Sequence, residues 1–359
     1  MTVTPVVIGR RPLVAPGDDA SSGPLVDGFG RVHRDLRISL TDRCSLRCTY
    51  CMPEQGMEWL ARSSILALDE IEHVARVAAA SGITTFRLTG GEPLLRQDIV
   101  EVVRRLARIV GADGRPVDIA MTTNGIRLAQ LLPDLIDAGL RRLNISIDTI
   151  DRERFAALTR RDRLDDVLEG IRAAQASGLR PLKLNAVAMR GVNDDEIVDL
   201  VEFAVAHDAQ LRFIEQMPLD AGHTWERTTM VTREEILEAL RSRWTLTPVP
   251  GRGGAPAERW TLGSVGRDGE PHSVGVIASV TAPFCGDCDR LRLTADGQLR
   301  NCLFSTSEYD LLPVLRGDDP SDAAIDRVLR ACIRGKLPGH AIDDPSFLQP
   351  VRGMNAIGG

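Results

Sequence analysis

From residue 35 onward the chain alternates between two rhythms of apolar and polar positions. Short runs of period two fall at 36–41, 84–89, 117–123, 142–148, 182–189 and 211–217. The first five put apolar residues on one face and polar residues on the other, as a strand does. Between them lie runs with the spacing of amphipathic helices, at 68–81, 97–110, 164–177 and 194–208. Strands alternating with helices of this length predict βα units around a parallel sheet. Six such units predict an α/β fold, an incomplete (βα)6 TIM-like barrel short of the full eight strands.

The rhythm breaks after residue 244. A Gly/Pro-rich stretch, TLTPVPGRGGAPAERW, gives way to the strand-like runs HSVGVIASV and RLRLTADGQLRNCLF, with a turn expected at Asp296-Gly297. One more helix is expected near 321–335. The chain thus divides into a flexible Pro-, Gly- and Asp-rich extension at 1–30, a barrel domain at 31–244 and a smaller C-terminal module at 245–359.

The polar strand faces carry Arg37, Ser39 and Thr41; Arg87 and Thr89; Thr122 and Asn124; Asn144, Ser146 and Asp148; Lys183 and Asn185. Helices would cover the apolar faces, so these residues are expected to point inward. Burying them without partners is costly. A polar ligand in the interior removes that cost, and the cations Arg37, Arg87, Lys183 and Arg212 predict that it is anionic. The plainer alternative is an open sheet with one face in water.

Hydrophobic residues make up 43% of the 359, charged residues 26%, and the net charge is −6. This is a globular composition that argues against a general nucleic-acid or anionic-membrane binder. No apolar run approaches the roughly 20 residues of a membrane span. Pro5 and Arg10 interrupt any signal-like core, so a cytoplasmic location is expected.

Six of the seven cysteines form two triplets, Cys44-x3-Cys48-x2-Cys51 and Cys285-x2-Cys288-x13-Cys302. Cys332, in a helix-like run, reads as a small buried apolar residue. Clustered thiols in a reducing compartment point to metal or redox chemistry. Structural zinc wants four ligands, and neither His33 nor His272 nor His340 is well placed to supply the fourth. A four-iron cluster held by three thiolates keeps one iron open for a substrate. The first triplet follows the first strand, at the end where such barrels carry their active sites.

The first triplet, with Tyr50 before its last cysteine, resembles the signature of the radical S-adenosylmethionine (SAM) superfamily. TGGEPLL at 89–95 resembles that superfamily's glycine motif. The resemblance implies a [4Fe-4S] cluster on Cys44, Cys48 and Cys51. It also implies SAM contacts at Tyr50, Gly90, Gly91, Glu92, Ser146 and Met217, and a 5′-deoxyadenosyl radical that abstracts a substrate hydrogen. FCGDCDRLRLTADGQLRNCLF further resembles the GTP 3′,8-cyclase family, which opens molybdenum cofactor biosynthesis.

That second resemblance implies another [4Fe-4S] cluster on Cys285, Cys288 and Cys302, whose open iron meets the guanine base. It implies GTP contacts at Arg37, Arg87, Thr122, Lys183, Arg212, Arg290 and Arg292, and a catalytic tail, Gly358-Gly359, that reaches into the site. The implied reaction takes the C3′ hydrogen of GTP and joins C3′ to C8. The implied partners are GTP, an unidentified electron donor, the downstream cyclic pyranopterin monophosphate synthase and a second copy in a homodimer, with no nucleic acid and no membrane. Thr85 departs from the Lys and Ser45 from the Asn common in the family. The open alternatives are another radical SAM enzyme with an auxiliary cluster and a non-catalytic zinc or iron–sulfur protein.

Overall fold

The structure, a computed structural model, describes residues 23–220, 225–266, 269–318, 320–344 and 347–358. Its elements begin β1 (Asp35–Ser39), α1 (Leu68–Ala80), β2 (Thr85–Thr89), α2 (Ile99–Ala107), β3 (Asp118–Thr123), α3 (Leu128–Ala138) and β4 (Arg142–Ser146). They continue with α4 (Arg152–Thr159), α5 (Leu164–Ala176), β5 (Leu182–Ala188), α6 (Ile197–Ala206), β6 (Ala209–Glu215) and α7 (Arg233–Arg241). The later segment holds β7 (Thr247–Val249), β8 (Glu258–Val265), β9 (Pro271–Ile277), β10 (Arg290–Leu293), β11 (Gln298–Arg300), β12 (Tyr309–Asp310), α8 (Leu312–Leu315), α9 (Asp322–Arg334) and α10 (Met354–Ile357).

Period two explains the strands. Leu36 and Ile38 of β1, Phe86 and Leu88 of β2 and Leu184 of β5 are wholly buried on one face, while Arg37, Arg87 and Lys183 alternate with them. The apolar stripe of α1 (Ile71, Val74, Ala75, Ala78) and that of α2 (Val102, Val103, Leu106) join the same continuous core. Local chemistry sets the helix ends. The Glu70 carboxylate caps the entry to α1 by accepting from the Ala67 amide at 2.7 Å. Gly139, at φ +118°, ends α3 in the left-handed region.

One sheet contains twelve strands in the order β12-β11-β10-β1-β2-β3-β4-β5-β6-β9-β8-β7. Every pairing from β10 through β1–β6 to β9 is parallel, and the outer pairings are antiparallel. The expected α/β class with a parallel-dominated sheet is therefore present. The segment after residue 244 does not form a sheet of its own. It adds β9 beside β6 and β10 beside β1, extending both margins of the six-strand array. Gly275 makes the first junction close: a Cβ there would lie 2.9 Å from Cγ of Arg212 and 3.1 Å from Cβ of Ala257. The expected turn is formed, with Gly297 at φ +78° and its amide donating to the Thr294 carbonyl at 3.0 Å.

Residues 23–30, expected to belong to a flexible extension, pack onto the body of the protein. Leu25 is wholly buried, its amide donates to the Ser81 carbonyl, and Asp27 is buried against Arg31 and His33. A lone leucine among glycines and charges carries no period, so the sequence hides it. Residues 1–22 lie outside the described residues. Among the described residues no helix is long and apolar enough to cross a membrane.

Candidate functional site

The loop after β1 carries the first cysteine triplet and folds against the glycine turn after β2. The Gly91 amide donates to the Thr41 carbonyl at 2.7 Å and the Glu92 amide to the Arg43 carbonyl at 2.8 Å. Glycine is required for this approach: a Cβ at Gly90 would sit 2.7 Å from the Thr41 oxygen, and one at Gly91 2.6 Å from the Asp42 oxygen. Between loop and turn lies a cavity of about 150 Å³ lined by Cys44, Cys48, Cys51, Tyr50, Gly90, Gly91, Glu92 and Ser146. Five of the six positions expected to contact SAM thus share one small cavity with the three thiols. Met217 does not; it lines a second, larger cavity.

None of these cysteines is in a disulfide. Burial pushes the Cys44 thiol up to about 11 and Cys51 up to about 12, and raises Cys48 as well. The thiols are therefore protonated at neutral pH until a metal displaces the protons. Around them the polar groups are fixed. The Asn124 amide donates to Oγ of Ser45 at 3.0 Å and reaches Sγ of Cys44 at 3.7 Å. Tyr50 donates its hydroxyl proton to Asp148 at 2.8 Å, and the Val187 amide donates to the other oxygen of that carboxylate. Burial still holds Asp148 up at about 6. The Glu92 carboxylate accepts from the Thr123 hydroxyl, the Asn124 amide and the Leu94 amide, bracing the turn to β3.

The larger cavity measures about 950 Å³, a volume suited to a nucleotide-sized ligand. Arg37, Arg87, Thr122, Lys183, Arg212, Arg290 and Arg292 all line it, and so do Cys285, Cys288 and Cys302. Thr122 lines both cavities, so the two abut at the end of β3. Burial pushes Lys183 down to about 8, Arg212 to about 9 and Arg292 to about 10, and lowers Arg37 and Arg87. Mutual repulsion adds to burial for Arg37, Lys183 and Arg212. Arg37 Nε and Arg87 Nη1 are buried without a hydrogen-bond partner. An entering anion would relieve both the repulsion and the missing acceptors.

Cys285 lies on a one-turn 3-10 helix, Cys285–Asp287, and Cys288 follows directly. Burial alone would raise the Cys288 thiol. Lys336, with Nζ 3.5 Å from the sulfur, and Arg290, at 4.0 Å, outweigh it and bring the thiol below its ordinary value. Arg31 straps this loop in place. It donates to the carbonyls of Cys285 at 2.6 Å, Leu337 at 2.7 Å and Pro338 at 3.2 Å, while Asp27 holds its Nε at 2.5 Å. Among the described residues no three His, Cys, Asp or Glu side chains are gathered at the position of a single metal ion. Each triplet instead presents three unpaired thiols to a cavity, a donor set that fits an iron–sulfur cluster with one open corner.

The C-terminal tail lies against the last residues of β1 and β2, Ser39 and Thr89. Gly358, at φ +84°, accepts a hydrogen bond from Arg292 Nη1 through its carbonyl. A Cβ there would lie 2.8 Å from Oγ1 of Thr89 and 3.0 Å from Cβ of Ser39. Gly359 lies outside the described residues. Cys332 is fully buried in α9, as its apolar reading expects. Arg31, Arg142 and Lys336 were not anticipated. Arg31 and Lys336 act through long-range contacts that no local pattern announces, whereas Arg142 stands two residues before Asn144 on the polar face of β4, where period two marks it.

A parallel sheet with a three-cysteine loop after β1 and a glycine turn after β2 defines a radical SAM protein, and the model of the Radical SAM superfamily matches residues 38–204. The model described as Molybdenum Cofactor Synthesis C matches residues 209–342. The chain belongs to the GTP 3′,8-cyclase family. It is 55% identical to the GTP 3′,8-cyclase of Streptomyces coelicolor over 93% of this chain and 96% of that protein. It is 49% identical to that of Mycobacterium ulcerans over the whole of both chains. Among solved structures, Streptococcus suis SuiB bound to S-adenosylmethionine aligns with a TM-score of 0.57 at 15% identity, over 93% of this chain and 77% of that one, a likeness of fold.

Proposed function

We propose that this chain is a cytoplasmic enzyme that converts GTP to (8S)-3′,8-cyclo-7,8-dihydroguanosine 5′-triphosphate, the first step of molybdenum cofactor biosynthesis. One observation carries the reading: a cavity lined by seven expected nucleotide contacts and the second cysteine triplet abuts, at Thr122, the cavity of the first triplet. In this reading β1–β6 form the incomplete barrel, with the SAM half at 31–244 and the second-cluster module at 245–359. Cys44, Cys48 and Cys51 hold one [4Fe-4S] cluster, and Cys285, Cys288 and Cys302 hold the other. When bound, the first cluster supplies the electron that cleaves SAM, so that the C3′ hydrogen of GTP is removed.

The protein's own part is orientation and exclusion of water. Gly90 and Gly91 let the backbone approach SAM, Tyr50 and Ser146 line its cavity, and Glu92 keeps the turn rigid. Met217 lines the nucleotide cavity and would meet SAM from that side. Arg37, Arg87, Lys183 and Arg212 hold the phosphates, Thr122 lies between the two ligands, and Arg290 and Arg292 steady the nucleotide near the second triplet. Gly358 closes the site from the tail. The electron donor, a second copy of this chain and the synthase that consumes the product are its proposed partners.

The test is anaerobic turnover with SAM, reductant and GTP deuterated at C3′. Deuterium is expected in 5′-deoxyadenosine, from protein carrying about eight irons per chain. SAM cleavage without deuterium transfer would overturn the assignment of substrate.

A further inference from the structure

Arg142 opens β4. In register, Arg292 pairs with Arg37, Arg37 with Arg87, Arg87 with Ala120, and Ala120 with Arg142. Residues paired across a parallel ladder share a face, so four arginines form one row interrupted only by the methyl group of Ala120. Lys183 stands in the adjacent row, paired with Asn144. Arg142 lines the large cavity with them. Behind burial in each case, its charge is among those that lower Arg87, Lys183 and Arg212, cations on three different strands.

The guanidinium is held from one side. Nη2 pairs with the Asp118 carboxylate on β3 and lies 3.4 Å from Oγ1 of Thr85. Nε is buried and has no partner. A planar fork anchored along one edge and unsatisfied along another is set to accept a second anion there. A triphosphate carries about four negative charges, more than one or two cations can match.

We propose that Arg142 is a further contact to the substrate's phosphate groups, closing the cationic row on the β4 side with Asp118 orienting its fork. The inference rests on the reading of the large cavity as the nucleotide site. It is tested by anaerobic equilibrium binding of GTP, guanosine and inorganic triphosphate to the cluster-loaded protein, with wild type, Arg142→Ala, Arg142→Lys and the double variant Asp118→Asn/Arg142→Ala. Arg142→Ala is expected to weaken GTP and triphosphate about 10- to 100-fold, the range of a charge-assisted contact, and to leave guanosine within about twofold. Arg142→Lys is expected to recover part of the loss. The double variant is expected to match Arg142→Ala, which removes a stray Asp118 carboxylate as the cause. Unchanged GTP affinity in Arg142→Ala, or an equal loss of guanosine, overturns the proposal while wild-type binding stands. Wild-type protein that binds none of the three overturns the reading of the cavity and the proposal with it.

Discussion

Lys183 offers a direct test of the cavity's charge. Burial, then Arg212, Arg142 and Arg87, hold its ammonium down to about 8 from an ordinary 10.5. A shift of that size disfavours the charged form by on the order of 3 kcal/mol. A bound phosphate makes the local field favourable to the cation and returns the lysine toward its ordinary value. The sign follows. The nucleotide prefers protonated Lys183, which the free protein holds below about 8 and loses above it, so affinity falls as pH rises. If the bound value is about 10, GTP affinity drops about tenfold between pH 7 and pH 9. Lys183→Arg keeps its charge across that range, and Lys183→Met has none to lose. Anaerobic calorimetry of GTP binding at the two pH values measures this. Dividing the wild-type constants by those of Lys183→Arg cancels the nucleotide's own ionisations and those of Arg212. A ratio that moves by less than about twofold refutes the reasoning.

Three further outcomes are expected. Gly91→Ala drives a methyl group into the backbone of Asp42 and Arg43 and should cost about 1–3 kcal/mol in denaturant unfolding, with iron lost from the first triplet; unchanged unfolding counts against the tight loop–turn contact. Arg31→Ala frees the carbonyls of Cys285, Leu337 and Pro338. Reconstituted iron should fall from about eight to about four per chain while SAM binding persists, and full iron would show that the strap is dispensable. Leu25→Ala should destabilise the protein by about 2–5 kcal/mol, and a loss below about 1 kcal/mol would mean that residues 23–30 do not share the core.

Much of the parallel array was legible because β1, β2 and β4 alternate Leu, Ile or Phe with Arg, Asn, Ser or Thr, and β3, β5 and β6 keep that alternation over part of their length; the expected limits differ from β1–β6 by two residues or fewer. Helix α3 was less visible because Pro133 interrupts its interior, where burial of Leu128, Leu132 and Leu135 overrides the proline's cost. The two cysteine triplets were legible from spacing alone, as local loops are. The contacts that complete their surroundings were not. Arg31 reaches Cys285 across 254 residues, and Lys336 reaches Cys288 across 48. Such pairings depend on which loops the sheet order brings together. The period-two pattern cannot supply that order for β7–β12, which join both ends of an existing sheet.

That splice has a consequence for how the protein is made. While only the first 244 residues have left the ribosome, β1 and β6 each present a row of unpaired amides and carbonyls, because β9 and β10 have not yet been synthesised. The nascent chain is then a six-stranded ribbon with two adhesive borders, a species prone to aggregate or to recruit chaperones. Separately expressed halves should be insoluble. A finished scaffold for iron delivery exists only after translation has passed the last strand that seals a border, which ends at Leu293.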